Sequence, residues 1–460
     1  MTALHQVLQT PELLTLVFES AASDERQSKA LLAVAACVNS TWFKLATSVL
    51  WGQVRDESLN VRALATITRA RRQRYASKTK HLDFTWNRDA TIHSLFKRLK
   101  FPMLKRLVLD NQGGMHNQRP CPVAQYLQPS VEILEVHNLD KQFNQGFVDL
   151  MSNCPHLRSF WLTSVGTTLS AKELSGIFAA VQNVRSLILK FTNSNLTGDL
   201  ILQLSRFEKL ERLSVSDRLV KPALFEFVKT HNPYPFRAVE SLEVTANPAT
   251  IISAMELFPN LKVLALSLCS STNTSFLYRL GAMPRLEVLF ISTATQARID
   301  TDGLLAIHSL HNLRSLHILF LNEEPPEEVE KFTESEFDSL CSGLPCLQRF
   351  HCNLDIFPPS YLSSLERHCR QLSQLHLTRG PCNLQELVNP SAQSSTLDYT
   401  MDRGVVRDFS TQQVARLIDN HAPRLKRYMF LRKGFEEQLA REWTKWLGRR
   451  RSERSFFAVD

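Results

Sequence analysis

Residues 101–110, FPMLKRLVLD, contain the spacing that decides the fold. Leu104, Leu107 and Leu109 occupy positions 1, 4 and 6 of a short block, and Pro102 stands two residues before its first position. Side chains alternate along a β-strand, so positions 4 and 6 share one face. Proline cannot continue a helix and holds the residue before it in an extended conformation. The block therefore predicts a helix end followed by a strand that buries one face.

The same block recurs through the chain at a nearly constant interval. Successive blocks start 27, 26, 27, 26, 29, 22, 25, 27, 34, 25 and 53 residues apart, so eight of the eleven intervals fall between 25 and 29. In six blocks a proline stands two residues before the first position. This period predicts a repeated unit of helix, break and strand. The blocks that follow the first are Val131-Leu134-Val136, Leu157-Phe160-Leu162, Val184-Leu187-Leu189, Leu210-Leu213-Val215, Val239-Leu242-Val244, Leu261-Leu264-Leu266, Leu286-Leu289-Ile291, Leu313-Leu316-Ile318, Leu347-Phe350-Cys352, Leu372-Leu375-Leu377 and Leu425-Tyr428-Phe430.

These blocks resemble the leucine-rich repeat, in its longer type with an α-helix on the convex side, over residues 79–432. The resemblance implies an α/β solenoid, a horseshoe with a parallel concave sheet and convex helices. Thr79, Leu82 and Phe84 predict a weaker opening strand. The alternative is an α/β sheet with ordinary crossovers, which also alternates strand and helix but needs no fixed period.

The first fifty residues follow a different, helical pattern. Thr10 suits a helix N-cap, Pro11 suits the first helical position, and Glu12 complements the positive end of the helix. Two further helices are predicted through residues 31–34 and 38–51. Three short helices form a marginal core, so their excess apolar surface predicts docking against a partner. The apolar residues of the first helix are Leu13, Leu14, Leu16, Val17, Phe18 and Ala21.

This segment resembles the F-box, the helical motif that joins substrate receptors to the Skp linker protein of cullin-RING ubiquitin ligases. It departs from the family pattern at Thr10, Asn39 and Ser40, where Leu, Cys and a basic residue are usual. The alternative is a helical cap on the solenoid, which also needs apolar faces. The resemblance assigns linker binding to Pro11, Glu12, Leu14, Val17, Phe18, Val38, Trp42, Leu50 and Trp51.

The sequence thus predicts four consecutive regions. They are an F-box-like helical module at 1–55, a basic connecting segment at 56–78, leucine-rich repeats at 79–432, and an amphipathic C-terminal cap with a basic tail at 433–460. The acidic stretch at 323–330 predicts a solvated loop. The alternative role for the predicted cap is a helix that binds a partner or a membrane surface. Its predicted apolar face consists of Phe435, Leu439, Trp443, Trp446 and Leu447.

No motif in the sequence favours catalysis, a cofactor or a metal site. The chain lacks the nucleophile elbow of hydrolases, the phosphate-binding P-loop and the His-Glu-x-x-His zinc motif. Its nine cysteines include no Cys-x-x-Cys pair. We find neither a signal peptide nor an apolar run long enough for a membrane span. The expected protein is a non-catalytic one in a reducing compartment, cytoplasmic, nuclear or both.

Positive charge is the remaining feature, with 54 Lys and Arg against 45 Asp and Glu. Basic clusters lie at residues 69–80 and 449–454. Solvated helix faces, contact with an acidic partner, and nucleic-acid binding are the three interpretations. Tyr75 is the only aromatic residue beside the first cluster, so interleaved base stacking is lacking. We therefore expect no nucleic acid and predict that Arg69 and Arg72 solvate one helix face.

The leucine-rich-repeat resemblance implies target binding on the concave strand face, at positions 3, 5 and 7 of the blocks. His317, His351 and His376 share position 5 of three successive blocks. They are interpreted as independent surface histidines, as a pH-sensitive target contact or as a metal site, and we assign no metal. A helix or tail of the same chain is the alternative occupant of this face. The apolar candidates are Trp161, Ile188, Val263, Val288 and Phe290.

Together the two resemblances imply an F-box substrate receptor of a cullin-RING ubiquitin ligase. Its expected partners are the Skp linker, through it the cullin and RING subunits, and a target protein whose identity the sequence does not reveal. A ligase-independent repeat scaffold is the alternative, and a nucleic-acid-binding solenoid comes third.

Overall fold

The apolar block forms a strand and the residues between blocks form helices, as the spacing predicts. The computed structural model describes residues 8, 10–22, 28–52, 57–85, 91–110, 123–137, 144–164, 169–191, 196–216, 221–268, 275–293, 301–320, 333–352, 359–377, 427–430 and 455–456. The chain divides into two units, Met1–Ser214 and Val215–Asp460. The strands of the first unit are β1 His81–Asp83, β2 Arg106–Asp110, β3 Ile133–His137, β4 Ser159–Ser164, β5 Ser186–Phe191 and β6 Arg212–Ser216, which ends just past the boundary. Those of the second are β7 Ser241–Ala246, β8 Val263–Leu268, β9 Val288–Thr293, β10 Ser315–Phe320, β11 Arg349–Cys352, β12 Gln374–Leu377, β13 Arg427–Phe430 and β14 Ser455–Phe456.

Helices precede the strands in the first unit and then alternate with them in both units. Those of the first unit are α1 Pro11–Ala22, α2 Ser28–Ala35, α3 Ser40–Gly52, α4 Glu57–Thr66, α5 Arg69–Ala76, α6 Thr91–Phe96, α7 Asn144–Met151, α8 Ala171–Ala180 and α9 Gly198–Ser205. Those of the second unit are α10 Pro222–His231, α11 Pro248–Met255, α12 Ser275–Leu280, α13 Thr301–Ala306, α14 Glu334–Ser342 and α15 Pro359–His368. Short 3₁₀ turns lie at Val123–Gln125 and Ile307–Ser309.

Within each unit, neighbouring strands pair in parallel and in chain order. The register places equal block positions opposite one another, as in Leu107 with Leu134 and Leu264 with Leu289. Positions 1, 4 and 6 are buried in all nine blocks from Leu104 to the block that starts at Leu313. The predicted fold class, an α/β solenoid of leucine-rich repeats, is confirmed, and the predicted opening strand is β1.

One backbone pattern joins successive repeats. The carbonyl at position 2 of a block accepts two hydrogen bonds, from the N–H groups at positions 2 and 3 of the next block. Thus Lys105 O accepts from Glu132 N at 2.8 Å and from Ile133 N at 2.9 Å. In the second unit, Lys262 O accepts from the amides of residues 287 and 288 at 2.8 and 3.0 Å. This pattern fixes the register of each strand against its neighbour.

A tight turn leads into the strand and explains the recurrent proline. The N–H of Leu104 donates to Phe101 O at 2.9 Å, which makes Pro102 the second residue of a four-residue turn. Proline is favoured at that position because its fixed φ angle suits the turn. The same bond joins Leu286 N to the carbonyl of the residue before Pro284, at 3.1 Å. The proline therefore shapes the turn as well as ending the helix.

Several helices begin at residues that are strong N-caps. Ser170 and Glu173 form a reciprocal capping box at α8, and Thr333 with Glu336 forms another at α14. Each pair satisfies N–H groups that the first helical turn leaves without partners. The second box defines the start of α14. The acidic stretch at 323–330, predicted to be a solvated loop, lies outside the described residues.

The predicted C-terminal cap also lies outside the described residues, apart from β14, and so do residues 378–426. The domain boundaries proposed from the sequence therefore remain predictions.

Arg72 contradicts the prediction that it solvates a helix face. Its side chain is buried and donates four hydrogen bonds to backbone carbonyls. Three of these, to Leu64, Ala65 and Ile67 at 3.1, 3.0 and 2.8 Å, satisfy carbonyls at the C-terminal end of α4. The fourth, to Leu95 at 3.2 Å, joins α5 to α6. A cation at a helix C-terminus also complements the negative end of the helix dipole.

We predict that Arg72→Ala lowers the free energy of unfolding by about 3 kcal/mol, because buried carbonyls lose a charged donor. Denaturant titration of the full chain measures this change. The exposed neighbour Arg71 provides the control, since Arg71→Ala should alter stability by no more than about 0.5 kcal/mol. Equal effects of the two substitutions would contradict the assigned role.

Candidate partner-binding surfaces

The N-terminal helices α1, α2 and α3 pack around a small apolar core. Phe18 and Trp42 meet edge to face within it, with ring centroids 5.4 Å apart. Such a core is small for three helices, because few side chains are removed from water. The buried residues of this core are Leu14, Phe18, Leu32, Ala35, Ala46 and Val49.

The same helices leave large apolar side chains in solvent. They form one stripe on α1 and a second that runs along α2 to residue 38, and together we call them the apolar surface. Of the eleven large hydrophobic side chains that are exposed in the described part of the chain, seven lie between residues 8 and 38. This concentration distinguishes the helical module from the repeats. The apolar surface consists of Leu13 (42% exposed), Leu16 (61%), Val17 (46%), Leu31 (48%), Val34 (69%) and Val38 (56%).

The residues predicted to bind the linker separate into two groups. Pro11, Glu12, Val17 and Val38 are exposed. The others stabilise the fold of the module. Leu14 and Phe18 lie in its core, and Trp42 and Leu50 are half-buried against that core. Trp51 is buried where the module meets α5.

Sequence reasoning did not assign four exposed members of the apolar surface to partner binding, namely Leu13, Leu16, Leu31 and Val34. The sequence feature that could have identified them is the width of the apolar face, because these helices carry more apolar residues than are required to pack one side against a core. Asn39 has a structural role, because its side-chain oxygen accepts a hydrogen bond from Trp42 N at 2.8 Å and so caps α3. Asparagine is a favoured N-cap, so the residue at this position suits the start of α3.

The helical module is tied to the segment that follows it. The ring of Trp51 lies 5.4 Å from that of Tyr75 on α5, and the Trp51 carbonyl accepts a hydrogen bond from Lys80 N at 3.5 Å. Lys78 Nζ donates to Lys44 O of α3 at 2.9 Å. These contacts join α3 to the beginning of the repeats within the first unit.

On the sheet face opposite the core, the first unit carries an ion pair that the sequence did not predict, between half-buried Arg106 and buried Glu135. Arg106 holds Glu135 through Nε at 2.8 Å and Nη2 at 2.7 Å. Trp161 lies beside Glu135 in the register and is half-buried, with its indole N–H donating to Ser159 Oγ at 3.1 Å. Ile188, its neighbour on the next strand, is buried.

On the same sheet face, the second unit carries a row of rings at block position 5. The centroid of Phe290 lies 5.7 Å from that of His317, which lies 5.5 Å from that of His351. All three side chains are half-buried, as are Val263 and Val288 at position 3. Ser315 Oγ lies 2.8 Å from His317 Nε2.

The strand register also pairs His351 with His376, whose side chain lies outside the described residues. Across the described part of the chain, no group of three or more His, Cys, Asp or Glu residues is arranged to hold a metal ion. None of the helices described here is long and apolar enough to cross a membrane.

Comparison with known proteins adds little to these observations. No family model matches the chain, and no curated protein matches it. One matching solved structure is the complex of Rad7 and Elc1 from yeast, at 15% sequence identity and a TM-score of 0.39. The match covers 78% of this chain and 94% of the other. Similarity at this level is too distant to carry an argument about function.

Proposed function

We propose that this protein is the substrate-recognition subunit of a cullin-RING ubiquitin ligase of the Skp–cullin–F-box type. The apolar surface of the helical module carries the proposal. Residues such as Leu16 and Val34 remain in solvent beside a small core, and a partner that covered them would complete that core. The F-box resemblance of the same helices supports the Skp linker as that partner, with the cullin and RING subunits bound through it.

Covering the apolar surface would contribute favourably to binding. Full burial of a large aliphatic side chain contributes about 1.5–3 kcal/mol, so covering these half-exposed residues contributes on the order of 1 kcal/mol each. The core residues Leu14 and Phe18 act on this surface indirectly, because they hold α1 against α2 and α3. The exposed residues Val17 and Val38, which the resemblance also assigns to linker binding, contact the linker directly in this proposal.

We further propose that the sheet face opposite the core holds the target protein. Phe290, His317 and His351 form a continuous row of half-buried rings. Rigid aromatic groups that are already partly desolvated make efficient anchors at protein interfaces. The subunit itself performs no chemistry in this proposal. It raises the local concentration of target near the ubiquitin-loaded enzyme.

We predict that the pair Leu16→Asp and Val34→Asp weakens binding of the purified Skp linker by at least about a hundredfold, because two charges would be buried in an apolar interface. Titration calorimetry measures the affinity. The control pair, Leu95→Asp and Met103→Asp, changes exposed apolar residues of the same unit outside the apolar surface and should leave binding unchanged.

Absence of linker binding by the unaltered chain would exclude the ligase subunit and leave the ligase-independent repeat scaffold. Equal weakening by both pairs would show that the apolar surface is not the docking site.

We predict that Phe290→Ala and Trp161→Ala each remove proteins from the set that copurifies with the chain when the ligase is inactivated, because each deletes a ring from the target-binding face. Quantitative mass spectrometry measures the change. Tyr278→Ala, an exposed ring on helix α12, is the matched control. An unchanged set of bound proteins in both variants would assign target recognition to another surface.

A further inference from the structure

One long stretch around α5 and α6 is strongly basic. Residues 57–110 contain thirteen Lys and Arg against four Asp and Glu, an excess of nine. The whole chain has the same excess, with 54 against 45. The remaining residues sum to no net charge, and among them residues 424–454 form a second basic stretch, with eleven Lys and Arg against four Asp and Glu.

The fold brings two parts of this stretch together. Gln73 of α5 donates through Nε2 to Lys100 O at 2.8 Å, and its Oε1 accepts from Lys100 N at 3.0 Å. The hydrogen bond from Arg72 to Leu95 O fastens α5 to α6 as well. These bonds hold the segment that follows α6 against α5, and both segments carry exposed cations. We call this set the basic surface, and it consists of Arg69, Arg71, Arg74, Lys97, Arg98 and Lys100.

These cations are not neutralised within the described part of the chain. Some other exposed cations pair with carboxylates of an adjacent repeat, as Lys105 does with Glu132 at 2.8 Å. None of the six residues of the basic surface has such a pair among the residues that the structure describes. Burial lowers the pKa of the nearby Lys78 ammonium, and the charges of Arg74 and Lys44 lower it further. Like charges accumulate here without compensation.

Apolar side chains accompany the cations. Leu95 is 44% exposed and Met103 is 46% exposed, and both belong to the segments that Arg72 and Gln73 fasten to α5. Two aromatic rings near α5 that the structure describes are already engaged. Phe43 lies under Arg74 and Lys78, each 5.8 Å from its centroid, and Tyr75 packs on the ring of Trp51. Among the described residues, the surface therefore offers cations and aliphatic groups, while Phe43 and Tyr75 are engaged in other contacts.

We propose that the basic surface binds an acidic polypeptide segment whose carboxylates alternate with apolar side chains. Carboxylates would pair with the guanidinium and ammonium groups, and the apolar side chains would cover Leu95 and Met103. A nucleic acid fits less well. Single strands bind largely by stacking on exposed aromatic rings, and a duplex backbone presents phosphates that leave the aliphatic groups uncovered.

The test measures binding of three fluorescent probes to the full-length chain at one salt concentration. The probes are a short peptide that alternates glutamate and leucine, the same peptide with serine in place of leucine, and a DNA duplex of equal charge. The basic-surface variant combines Arg71→Glu, Lys97→Glu and Lys100→Glu. The control variant makes the same charge change at three exposed cations elsewhere, with Lys172→Glu, Arg206→Glu and Lys221→Glu.

The glutamate–leucine peptide should bind most tightly of the three, and the basic-surface variant should weaken it at least about tenfold relative to the control variant. Equal affinity of the two variants would overturn the proposal. So would tighter binding of the duplex, or equal binding of the serine peptide. Circular dichroism of both variants confirms that each retains its fold.

Discussion

The double hydrogen bond at block position 2 is the constraint on which the rest of the structure depends. A carbonyl such as that of Lys105 accepts from two consecutive N–H groups of the next block, and this fixes the register between repeats. With the register fixed, positions 1, 4 and 6 face the core, and positions 3, 5 and 7 face away from it. The row from Phe290 to His351 exists because equal positions of successive blocks stand side by side. The proposed target-binding face is thus a consequence of backbone pairing.

The repeats were predictable because their signal is local and recurs. Leu104, Leu107 and Leu109 report one buried face, and repetition at about 27 residues excludes chance. Arg72 shows where this reasoning fails. Its neighbours in sequence suggest a solvated face, whereas its partners are carbonyls at the end of a different helix. Glu135 is a similar case. Its ion pair with Arg106 joins adjacent strands, so it can be predicted only when the register between those strands is known. Contacts between different helices and strands cannot be predicted from the sequence pattern of one element alone.

The helical module illustrates an intermediate case. Its sequence shows too many apolar residues for its size, which predicts an exposed apolar face. It does not show which residues are exposed, because α1 carries apolar groups on more than one side. The packing of α1 on α2 and α3 places Leu14 and Phe18 inside and leaves Leu16 in solvent. A small core beside an uncovered apolar face links the stability of this module to its partner, since binding stabilises the folded state by mass action.

The central claim is that the apolar surface of the helical module is covered by the Skp linker while the repeats remain free for a target. Hydrogen–deuterium exchange of the full chain, alone and with a saturating amount of linker, tests it most directly. The account predicts slower exchange in residues 10–22 and 28–38, since binding suppresses local opening there, and unchanged exchange in the strands. Unchanged exchange in those helices, or slowing confined to the strands, would contradict it.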